Sequence, residues 1–105
     1  MSVTDLGEID IQEFPMGEPR PHADVGERAK RMLAAFDYQN GRQFAIDAGI
    51  SYATWNRIEN GWQLVSHSVW LKIARKCPGM SRDYLNYGDM RGLDPPIRKA
   101  LQRGS

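Results

Sequence analysis

Five times between residues 24 and 88 the chain places a helix-starting residue ahead of a short apolar stripe and then a stop signal. Nowhere in that stretch do apolar and polar residues alternate as a strand requires. Asp24 with Glu27 three residues on has the form of a capping box, and Val25, Ala29, Met32, Leu33 and Phe36 follow at helical spacing. Asn40 and Gln43 repeat the signal ahead of Phe44, Ala45 and Ala48, and Gly49 stands where a helix end wants a left-handed residue. Ser51 precedes a segment with Trp55 and Ile58 on one side, stopped by Asn60 and Gly61. Ser66 opens a fourth with Val69, Trp70, Ile73, Ala74 and Cys77 inward, closed by Pro78 and Gly79, and Ser81 opens a fifth with Tyr84 and Leu85, ended by Gly88. The spacing predicts an all-α bundle of short helices. None is long enough to persist alone in water, so stability has to come from burying one stripe against another.

The flanks are of a different character. Residues 1–24 hold Asp5, Glu8, Asp10, Glu13, Glu18 and Asp24 against Arg20 alone, a net charge of −5, which leaves +6 on the rest of a chain whose total is only +1. An acidic arm joined to a basic body points to a polyanion as partner. Ile9, Ile11 and Phe14 alternate loosely with polar residues before Pro15, Pro19 and Pro21, and residues 1–23 are expected to form a flexible arm ahead of a domain over residues 24–90. In the tail, residues 91–105, Asp94-Pro95-Pro96 starts a short C-terminal helix, because proline is tolerated in a first turn. Its Ile97, Ala100 and Leu101 make an apolar face too small to fold by itself, and a twofold partner is the commonest supplier of such cover.

Several function classes are excluded. In 105 residues no run reaches the roughly 18 to 20 apolar residues of a membrane helix, and no basic-then-apolar opening resembles an export signal, so a cytoplasmic protein is expected. The single cysteine, Cys77, rules out an internal disulfide and a cysteine zinc site, and its place on an apolar stripe suits a small buried hydrophobe. His22 and His67 lack accompanying ligands, so no metal is expected. No nucleophile elbow, glycine-rich phosphate loop or paired carboxylate suggests a catalytic residue or a cofactor, and an enzyme is not expected.

The most informative run is NGRQFAIDAGISYATWNRIENG, residues 40–61. Two short helices flank a turn where Gly49 permits a positive φ, Ala45 is small enough for the helices to cross closely, and Ile58 returns to the core. Phe44-Ala45, Ala48-Gly49-Ile50-Ser51, Arg57-Ile58-Glu59-Asn60-Gly61, Lys72-Ile73-Ala74 and Tyr84-Leu85, taken together, resemble the helix-turn-helix domain of the Cro/CI-type (XRE-like) regulators of bacteria and phages, over residues 27–88. The resemblance implies a five-helix, phage-repressor-like DNA-binding domain, here with an acidic arm and a C-terminal helix added. It implies a transcriptional regulator, a repressor first of all, binding double-stranded DNA as a homodimer on an inverted repeat.

Carried over residue by residue, the resemblance turns Ser51, Tyr52, Ala53, Asn56 and Arg57 of the third helix toward the bases. Arg57 suits a guanine O6/N7 edge, Asn56 an adenine, and Tyr52 and Ala53 a thymine methyl. Asn40, Arg42 and Gln43 at the start of the second helix, with Thr54, Asn60 and Gln63, are the expected phosphate contacts. The sequence departs from the family pattern at Gly41, where glutamine is common, and in the loop Trp62-Gln63-Leu64-Val65, which lacks the usual Lys or Arg. It departs again at Cys77-Pro78-Gly79-Met80-Ser81, one residue longer than usual, and at Trp55, larger than the typical aliphatic residue. The apolar loop and the acidic arm support an alternative: an interaction module, such as an antitoxin or an assembly adaptor, that uses the same fold to hold a protein through the Trp62 loop or the arm.

Overall fold

The computed structural model describes residues 20–103, so the acidic arm expected over residues 1–23 lies, up to residue 19, outside the described residues. Six helices follow in order: α1 (Ala23–Ala35), α2 (Gly41–Ala48), α3 (Tyr52–Glu59), α4 (His67–Lys76), α5 (Arg82–Tyr87) and α6 (Pro95–Arg103). Among the described residues there is no strand, and no helix is long and apolar enough to cross a membrane.

Local chemistry explains most of the boundaries. The side chains of Asn40, Ser66 and Ser81 accept from the backbone N–H groups of Gln43, Val69 and Tyr84, each satisfying a first-turn donor that has no partner within the helix. Gly49 and Gly88 end α2 and α5 in the left-handed conformation, both at φ +77°. Two starts differ from expectation. Ser51 occupies the position before α3 but its side chain makes no cap bond. The Asp24/Glu27 capping box does not form either: α1 begins before Asp24, with His22 as the flanking residue. The cause is tertiary, because the His22 N–H donates to the Gly61 carbonyl (2.9 Å) and the His22 carbonyl accepts from Val25 and Gly26, which fixes the entry of the chain ahead of Asp24. Asp24 is thereby left in the first turn, where a carboxylate suits the helix dipole.

The stripes meet in one core. Met32, Phe44, Trp55, Ile58, Ile73 and Leu85 are fully buried, with the Phe44 ring 4.8 Å from Trp55 and edge-on to Tyr38 at 4.9 Å. On α4 the inward row is Val69 and Ile73, continued by Cys77 just past its end, while Trp70 and Ala74, also expected inward, are only half-buried at its margin. Burial pushes the Cys77 thiol from 9.0 up to about 12. Asn86 is the buried polar exception: its side chain accepts from the Val65 N–H (2.8 Å) and donates to the Val65 carbonyl (3.0 Å), closing the loop between α3 and α4 over the core.

The tail is not separate from this core. α6 packs on α1, Leu101 and Leu93 are buried, and the apolar face expected to seek a twofold partner is partly covered within the chain, with Ile97 and Ala100 half-buried. The connection after α4 contributes to this docking. Gly79, at φ +91°, lies so close to α6 that a β-carbon there would stand 2.8 Å from Ile97 Cγ1, and its carbonyl accepts from the Asp94 N–H (3.1 Å).

Candidate nucleic-acid interface

α2 and α3 are each eight residues long and are held as a pair from three directions. At the turn between them the Ile50 N–H returns to the Ala45 carbonyl (2.9 Å), and Lys72 of α4 donates to the Gly49 carbonyl (3.0 Å). At the start of α2, Gly41 is pressed against α3: a β-carbon there would lie 2.5 Å from Glu59 Oε1 and 2.6 Å from Trp55 Nε1. The Glu59 carboxylate and the Trp55 indole together occupy the space a side chain at 41 would need. The Trp55 indole N–H is buried without a hydrogen-bond partner, and burial raises the neighbouring Glu59 carboxyl above its usual range, against the pull of Lys30. On the third side, α1 crosses the end of α3 at Gly26, where a β-carbon would overlap the Glu59 carbonyl oxygen.

This clamp buries one side of α3 and leaves the other open. Trp55 and Ile58 are fully buried, whereas Ser51, Tyr52, Ala53 and Arg57 are exposed and Thr54 and Asn56 are half-buried. Asn40, Arg42 and Gln43 are exposed at the start of α2, where with Ile46 and Asp47 they line a shallow depression of about 390 Å³. Asp47 is engaged there from the far side, accepting from the Tyr38 hydroxyl (2.6 Å) with Lys76 at 3.6 Å. The hydrogen bond to that carboxylate, then burial, carries the Tyr38 phenol up to about 12.

Several of the expected contact residues are bonded to one another. Asn60 Nδ2 donates to both the carbonyl (2.8 Å) and the Oδ1 (2.9 Å) of Asn56, so one of the two lone pairs of the Asn56 amide oxygen is already engaged. Arg57 Nε donates to Gln63 Oε1 at 2.8 Å. Asn40 Oδ1 is held by the Gln43 N–H, which leaves the Arg42 and Gln43 side chains as the outward groups of that turn.

Two cations at this surface are not among the contact residues expected from the sequence. Arg20 donates to the Asn60 carbonyl (3.1 Å) and lies 5.5 Å over the Trp62 ring, so the loop without a Lys or Arg of its own receives a guanidinium from outside the motif. Trp62, which only the alternative reading would use as a partner surface, is half-buried under that contact. Lys72, on the turn carbonyl, is the second. Neither carries a local signal, because its partner lies 40 or 23 residues away. Compared with family models, with curated proteins and with solved structures, the chain gave no match.

Proposed function

We propose that this chain is a sequence-specific DNA-binding regulator of the helix-turn-helix kind, with the phage-repressor-like arrangement of its first five helices. In this reading it acts in the cytoplasm as a homodimer on an inverted repeat and lays α3 in the major groove. One observation carries the proposal: a helix of only eight residues has Trp55 and Ile58 fully buried and Tyr52, Ala53 and Arg57 exposed, with Ser51 exposed just ahead of it. A short helix so held can enter a groove about 12 Å wide without reorganising the core. The exposed Arg42 and Gln43 beside it, the guanidinium of Arg20, and the net positive charge of residues 25–105 supply what phosphates would meet. Repression by occluding a promoter is the simplest consequence of such binding.

Selection of bound sequences from a random DNA pool tests the proposal, with a palindromic consensus expected. Against that consensus, Arg57→Ala should cost about 1 to 3 kcal/mol and relax the preference at one base pair in each half-site. Uniform weakening on every sequence would make Arg57 a phosphate contact. A second reading, the protein-interaction module, is favoured by Ile46 and Tyr52, which are 71% and 48% exposed on α2 and α3. A pool that yields no enriched sequence would favour it over the first.

A further inference from the structure

We infer that Gln63 is a positioning residue for Arg57, holding it so that only the outer fork of the guanidinium faces the groove and the pair reads guanine as a unit. The inference rests on the DNA-binding reading and assigns Gln63 a role other than phosphate contact.

The geometry begins in the backbone. Gly61, at φ +82°, turns the chain back on the last turn of α3, with its N–H on the Ile58 carbonyl (3.0 Å). The next N–H, from Trp62, donates to the carbonyl of Arg57 itself at 2.8 Å. Residue 63 is thus delivered beside Arg57 by two backbone bonds, and Arg20, bonded to Asn60 and lying over Trp62, covers the bend. Gln63 is half-buried while Arg57 is exposed, so the amide is the more constrained partner in their 2.8 Å hydrogen bond.

The consequence is chemical. Arginine can meet a pair of acceptors side-on, through Nε and one Nη, or end-on, through both Nη atoms, and it has five N–H donors in all. Gln63 Oε1 occupies the Nε–H, which leaves the end-on mode, and the bond restricts the swing of the fork. A long exposed side chain held in this way has less conformational freedom to lose on binding, and it discriminates better because a misplaced fork cannot swing to a neighbouring acceptor. Guanine O6 and N7 form the paired acceptors that match it.

The test uses the selected consensus and its guanine-to-adenine variant at the base pair that Arg57→Ala relaxes. Binding is measured for the unmodified full chain, Gln63→Ala, Gln63→Glu, Arg57→Ala and the double variant Arg57→Ala/Gln63→Ala, each checked for an unchanged urea midpoint. Gln63→Ala should lower the guanine-over-adenine ratio by about 2- to 10-fold, the range set by ordering one such side chain, while binding to unrelated DNA stays within twofold. Gln63→Glu, which keeps an acceptor on Nε, should preserve the ratio. In the Arg57→Ala background, removing Gln63 should change the ratio no further. A ratio unmoved by Gln63→Ala, or equal weakening on every sequence, overturns the positioning role and leaves the DNA-binding reading standing. Failure of the unmodified protein to select any DNA overturns both.

Discussion

Gly26 is the position where the packing of α1 against the end of α3 can be tested by adding a single methyl group. It lies inside α1, where replacing glycine by alanine ordinarily stabilises a helix by about 1 kcal/mol. Here the added carbon would overlap the Glu59 carbonyl oxygen and stand 3.1 Å from the Glu59 carbonyl carbon and 3.2 Å from the Gly61 nitrogen. All three are backbone atoms, tied down by the Gly61 bond to Ile58 and the His22 bond to Gly61, so no side chain can move aside. Overpacking typically costs 1 to 3 kcal/mol, and with backbone on both sides the upper end applies; subtracting the propensity gain leaves a net loss of about 2 kcal/mol. For a domain of this size that is a fall in Tm of roughly 8 to 16 °C. Gly49→Ala is the matched control. It meets nothing within 4 Å, so its cost, about 1 kcal/mol, comes only from forcing a β-carbon into φ +77°. Urea titrations followed by tryptophan fluorescence give both values, read as shifts in midpoint at constant slope. A Gly26→Ala protein as stable as the parent, or more so, would refute the close crossing of α1 over the end of α3.

Three further outcomes are expected. Asn86→Ala removes the acceptor for the buried Val65 N–H while Arg82 still serves the Val65 carbonyl (3.0 Å), so the loss should be about 1 to 3 kcal/mol in the same urea assay, and an unchanged midpoint would show that water replaces the amide. Cys77, 1% exposed and with its thiol pushed up to about 12, should react with a thiol reagent at pH 8 only through opening of the fold; a rate near that of a free thiol would place it at the surface. Removing residues 1–19 takes away five carboxylates and no cation from a chain that enters the domain beside Asn60 and Trp62. Affinity for DNA of any sequence should rise at low salt, with the gain shrinking as salt screens it; coincident isotherms at low salt would exclude competition by the arm.

Features decided within four residues were legible in the sequence. The caps at Asn40, Ser66 and Ser81, the left-handed ends at Gly49 and Gly88, and the inward rows of α1 to α5 follow from local hydrogen bonding and from the 3.6-residue repeat, neither of which needs a distant partner. The same repeat turns Tyr52, Ala53 and Arg57 outward once Trp55 and Ile58 are assigned inward, so that part of the open side of the candidate site was also legible; Ser51, four residues before Trp55 and seven before Ile58, shares the inward stripe by spacing and is exposed because it precedes the helix. What the outward side chains do to one another was not. The Arg57 bond to Gln63 depends on how Gly61 folds the loop back, and the Asn56 amide is engaged because α3 ends where Asn60 can reach it. Arg20 reaches Asn60 across 40 residues and Asn86 reaches residue 65 across 21, contacts that leave no periodic trace in either segment. The start of α1 and the burial of α6 belong with them. Asp24 had the local form of a cap, but a single backbone bond from His22 to Gly61 moved the helix start, and Leu101 found its cover on α1 because only the assembled core presents an apolar surface for it.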